Sequence, residues 1–174
     1  MSGMNIVFIA VRVLHVLCAA LWLGASVFGS VFLLPVLQQA GPNAAMVMAG
    51  LARRGLASFM SGVGGVTVLS GLWLYWRFTD GFDPGLSASM AGRVFGTGGL
   101  LGIAAAVIGG SIVGRSAQSA TTLGAKAAGL PEGAERAALL AEIQRLRLRM
   151  VKFGDVVTVL LVVAIVLMAM GHYV

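Results

Sequence analysis

Two histidines, His15 and His172, and one cysteine, Cys18, are the residues of this 174-residue sequence best suited to chemistry. Cys18 and Trp22 follow His15 at three and seven positions, which puts all three on one face of a helix. Met168 precedes His172 by one helical turn on a shared face. An imidazole inside an apolar run is costly to bury and is a functional candidate by default. Three readings of the pair stay open. Two neutral imidazoles from facing helices can ligate the iron of a haem b, with Trp22 lining the interior beside His15. The thiol of Cys18 and the thioether of Met168, next to His15 and His172, instead form a ligand set for copper. In the third reading His172 is an interfacial polar residue and His15 hydrogen-bonds within the protein. Arg12, Arg77 and Arg93 can clamp haem propionates or an anionic substrate through charge-assisted bonds, or extend to lipid headgroups. The apolar runs hold no paired carboxylates, no Ser-His-Asp set and no zinc-type His-Glu-His spacing, which argues against hydrolysis.

The elements that must position these residues follow from composition. The chain is 59% hydrophobic and 10% charged, with a mean hydropathy of +0.97, so most of its surface must face lipid. That excludes a soluble enzyme and a disordered tail, and a single cysteine excludes a disulfide scaffold. A bilayer core about 30 Å thick takes roughly 20 apolar residues in a helix. Four such runs are present, giving expected spans at 6–37, 56–76, 94–113 and 153–172. No segment alternates with a period of two, so a transmembrane barrel is excluded. The expectation is a single all-α domain over 1–174, an integral-membrane four-helix bundle running up-down-up-down. The first run has no basic segment ahead of it and outlasts a signal-peptide core, so it is read as a retained helix.

The turn clusters Gly41-Pro42-Asn43 and Gly129-Leu130-Pro131-Glu132-Gly133 are set off from the apolar runs by helix-compatible sequence, so two helical hairpins should project from the membrane. In the second, Leu139, Ile143, Leu146 and Met150 recur on one face. The hairpin ends carry Arg53, Arg54, Arg115, Lys126, Arg136, Arg145, Arg147, Arg149 and Lys152, whereas the other side has only Arg12, Arg77 and Arg93. By the positive-inside rule the hairpins are cytoplasmic and both termini lie outside an inner membrane. The formal charge of +6 then records topology, and no nucleic-acid partner is expected. Trp73, Tyr75, Trp76 and Tyr173 suit an outer aromatic belt, and Asp155 is expected to pair with Lys152 or Arg149. Gly92/Gly96, Gly98/Gly102 and Gly110/Gly114 are spaced for close helix contact, within the bundle or between copies of the chain. Gly62-Val63-Gly64-Gly65 follows no strand and lacks a phosphate-loop lysine, so it too is read as packing. If Arg12 marks the outer boundary, His15 lies about 4.5 Å below it and can meet His172; if the boundary is nearer Asn5, His15 is about 15 Å deep and His172 is too shallow.

The first helix, Leu14-His15-Val16-Leu17-Cys18-Ala19-Ala20-Leu21-Trp22-Leu23-Gly24, resembles the first span of the CopD-like group of membrane proteins, associated with copper resistance or uptake. That group is similar to the HemJ-type protoporphyrinogen oxidases and to uncharacterised four-span membrane proteins. Pro35 and Ser70-Gly71-Leu72-Trp73 resemble the latter. The resemblance implies a haem-ligand role for His15, which matches the first-helix histidine of the HemJ-type enzymes. Their third-helix lysine has no counterpart in 94–113, so protoporphyrinogen oxidation is not implied. The leading expectation is an inner-membrane redox protein that holds haem b near its outer face through His15 and His172 and exchanges electrons with a quinone or small oxidant. The alternatives are a copper-handling protein and an accessory subunit packed against another membrane subunit.

Overall fold

The structure, a computed structural model, describes residues 3–41 and 43–174. These residues form α1 (Gly3–Val27), α2 (Leu34–Gln39), α3 (Asn43–Arg53), α4 (Leu56–Phe78), α5 (Pro84–Ala88), α6 (Met90–Ile108), α7 (Arg115–Ala128) and α8 (Ala134–Met170). There is no strand among the described residues. Pro42 of the first expected turn cluster lies outside them. Two π-helical segments, Phe28–Leu33 and Gly109–Gly114, join α1 to α2 and α6 to α7 without a break. Four continuous rods result, Ile6–Gln39, Leu56–Phe78, Met90–Ala128 and Ala134–Met170, each long and apolar enough to cross a membrane. The protein is an all-α, multi-pass membrane bundle.

Each rod touches two neighbours in the bundle, α1 and α6 both packing against α4 and α8. The core is one cluster of Trp22, Val63, Ala105, Val157 and Leu161, with a residue from every rod. Gly64 makes room for its largest member, since a Cβ there would come within 3.3 Å of the Trp22 indole. Outside this core the rods turn large side chains outward: Leu69 and Leu100 are 71% and 69% exposed, as a lipid-facing surface requires.

The rods differ in reach. The 37 residues of α8 span about 55 Å, well beyond the roughly 30 Å of a bilayer core. Its N-terminal half pairs with α7, burying Ile143 and Met150 and half-burying Leu139 and Leu146, the expected stripe. The glycines of the third rod are not equivalent. Gly96 admits the Tyr75 hydroxyl, which donates to the carbonyl of Gly92 at 3.2 Å, and Gly98 admits Met168. Gly102 and Gly110 face open space. Asp155 is exposed and, among the described residues, forms no ion pair; the pairs present are Lys126–Glu135, Arg136–Glu132 and Arg145–Glu142. Its expected pairing with Lys152 or Arg149 is therefore absent, and the Arg149 guanidinium lies over the Phe153 ring instead.

At the opposite end the α4–α5 connection is tightly capped. Thr79 is fully buried; its hydroxyl donates to the Tyr75 carbonyl at 2.9 Å and accepts from the Phe82 amide at 3.1 Å. The chain then takes left-handed conformations at Asp80, Gly81 and Phe82, with φ of 47°, 84° and 68°. Asp83 caps α5 through the Leu86 amide, and Ser89 caps α6 through the Gly92 amide.

Candidate functional site

His15, Cys18, Trp22, Ser26 and Ser30 follow one another at spacings of three and four, and all are buried or half-buried. Leu14, Leu17, Leu21 and Phe28 on the other side of α1 are exposed. The inward stripe of α1 therefore carries the chain's chemically capable groups, and packing against α4 and α8 decides what each one meets.

His15 meets α4. Its Nδ1 lies 2.9 Å from the Thr67 carbonyl oxygen and 3.0 Å from the Ser70 hydroxyl. A carbonyl only accepts, so Nδ1 carries the proton, and in the neutral imidazole the lone pair is on Nε2. The hydroxyl of Ser70 is itself anchored to the Val66 carbonyl at 2.5 Å. Gly71 completes the cradle: a Cβ at that position would stand 2.8 Å from Cε1 of the imidazole, closer than such contacts occur.

His172 meets Arg12. The guanidinium Nη2 is 2.6 Å from Nε2 of His172, and because a guanidinium only donates, that nitrogen's lone pair is taken. The His172 ring also packs edge-on against Phe95, centroids 5.3 Å apart, beside the buried Gly171. Arg12 thus stands level with the end of α8, and His15 is one turn, about 4.5 Å, further along α1. The two histidines share an end of the bundle but have separate partners. A bis-imidazole site through both Nε2 atoms is not assembled, since Arg12 occupies one of the two lone pairs.

The remaining candidates disperse. Cys18 is a half-buried free thiol packed on the core cluster. Trp22 is buried against Gly64, and Met168 packs on Gly98 of the third rod. Arg93 is exposed. Among the described residues no three His, Cys, Asp or Glu side chains gather as a metal site. Phe8, Ile9, Arg12, Val13, Val16 and Leu17 form one outward face of α1, apolar except for Arg12.

Thr67, Ser70 and Gly71 are contacts of His15 that residue type alone does not reveal. Ser70-Gly71 stands out in the sequence only through the resemblance of Ser70-Gly71-Leu72-Trp73 to four-span membrane proteins, and Thr67 carries no signal. No family model, curated protein or solved structure compared with the chain matches it.

Proposed function

We propose that the protein is a redox protein of an inner membrane, with its termini outside and its helical hairpins in the cytoplasm, that holds one haem b through Nε2 of His15 near the outer face. The observation that carries this reading is the hydrogen bond from Nδ1 of His15 to the Thr67 carbonyl. Ligating histidines characteristically give their second ring N–H to such an acceptor, which fixes the ring and leaves the other nitrogen's lone pair for the metal. Gly71, where a Cβ would collide with the ring, keeps His15 in that orientation. His15 fits a haem ligand; His172 fits a second one only if Arg12 releases it. Arg12 and Arg93 are the cations available for propionates at this end. When bound, a haem supplies one-electron transfer. The orientation rests on the basic residues of the hairpins, and the cofactor class also rests on the resemblance of the first helix to the CopD-like and HemJ-type proteins.

An optical spectrum of the detergent-purified protein, oxidised and then dithionite-reduced, with metal analysis of the same sample, tests the proposal. The expected result is a Soret band with the broad reduced visible band of a haem held by one histidine, lost in His15→Ala while the helical content is kept; sharp reduced α and β bands would show that Arg12 yields His172 as a second ligand. A colourless sample with stoichiometric copper would transfer the role to His15, Cys18 and Met168. A sample with neither, co-purifying with another membrane protein, would make the chain an accessory subunit.

A further inference from the structure

Hydroxyls inside membrane helices usually satisfy themselves by donating to the carbonyl one turn back. Thr67, Ser70 and Ser111 all do so here. Ser26 does not. It is 8% exposed, and its hydroxyl has no partner, the only such buried side-chain polar atom among the described residues. One turn further along α1, Ser30 is also buried, and its hydroxyl reaches across to Thr158 of α8 at 3.2 Å. Gly154, one turn before Thr158, lets the two helices approach here: a Cβ there would come to 3.2 Å from the Ser30 hydroxyl.

The backbone adds an acceptor beyond that pair. In the π-helical segment the Leu34 amide donates to the Gly29 carbonyl rather than to Ser30. The next residue is Pro35, which has no amide hydrogen. The Ser30 carbonyl therefore lacks an amide donor at both the α and the π spacing. An orphaned hydroxyl thus lies one turn from a hydroxyl pair that joins the first rod to α8, with an orphaned carbonyl on the far side of that pair. Unmet polar groups in such surroundings carry the full cost of their desolvation.

We infer that Ser26, Ser30 and Thr158 enclose a binding site for one buried water molecule that ties the π-helical segment of α1 to α8. A water needs two to four polar partners. The hydroxyls of Ser26, Ser30 and Thr158 supply them. The occupant is neutral because nothing nearby compensates a charge: Asp155 is exposed. Ser26 and Ser30 lie about 21 and 27 Å along α1 from Arg12, so water enters from the hairpin side of the membrane.

The test is a double-mutant cycle on the full-length protein, reading the thermal unfolding midpoint of wild type, Ser26→Ala, Thr158→Val and the double variant. Ser26 and Thr158 share no direct hydrogen bond, and a coupling between them that survives in a Ser30→Ala background does not pass through the Ser30–Thr158 contact and requires something held by both. Each single variant is expected to lower Tm by about 2–4 °C, and the double variant by clearly less than the sum. Ser26→Ala that leaves Tm unchanged or raises it identifies an empty, unsatisfied hydroxyl and overturns the inference. Additive losses overturn it as well. A wild-type Tm that climbs when sodium replaces choline at constant ionic strength overturns it in favour of an alkali cation. Ser26→Cys, which keeps nearly the same volume, serves if the alanine variant does not fold, and its Tm should also fall.

Discussion

The imidazole of His15 is held on two sides, by the Thr67 carbonyl and by the absence of a side chain at Gly71. Gly71→Ala is therefore a sharper probe than removal of the histidine, because it leaves every donor in place and only displaces the ring. Forcing a methyl into this contact should cost roughly 1–3 kcal/mol of stability. The haem content of the purified variant should fall with it, read as Soret absorbance per protein. The two histidines should also separate in their effects. His172→Ala should retain haem, since the Nε2 of His172 is already engaged by Arg12, whereas His15→Ala should lose it. Equal loss in both would show that Arg12 yields His172 to the iron. His15 was legible in the sequence because an ionisable group in an apolar run is conspicuous. Its partners were not, since which carbonyl and which glycine face it depends on the helical register of α1 against α4. The convergence of the first and last helices was also readable from topology, but the capture of His172 by Arg12 was not.

Helix lengths and ends follow a similar division. Hydropathy located the four crossings because each needs an uninterrupted apolar run, and α4 (Leu56–Phe78) ends close to the expected boundary. It bounded only the apolar part of the third and fourth rods; their helical extensions into α7 and the first half of α8 were expected from the helix-compatible sequence flanking the second turn cluster. The π-helical segments left no periodic signature; Pro35 marks one of them only once the missing amide is traced to Ser30. Spacing of small residues also proved an incomplete guide, because Gly98 is a contact and Gly102 is not. The end of α4 offers a test of how much one cap contributes. Thr79→Val removes the acceptor of the Phe82 amide from a fully buried position and should cost about 1–3 kcal/mol. The local sign would be faster proteolysis at residues 80–83, where three consecutive left-handed residues depend on that cap.

Across the molecule, two polar levels bracket the apolar core. Arg12, His172 and Tyr75 mark one. At the other, Ser30 of the π-helical segment and Leu34 of α2 pack against Gly154 of α8, with Lys152 nearby in sequence. From Arg12 to Leu34 is about 33 Å along a helix, close to the thickness of a bilayer core. With the basic side inward, alkaline phosphatase fused after Val174 should be active and a fluorescent protein at the same position dark in a host whose phosphatase matures only outside the cytoplasm. The reverse pattern would invert the topology and put the His15 end in the cytoplasm. The unbroken course of α8 has a mechanical consequence. Near the level of Lys152 it divides into two arms of about 27 Å each, one outside the lipid against α7 and one ending at His172. With no proline between them, the two arms are parts of a single rod, and Gly154, at their junction, is where that rod bends most readily.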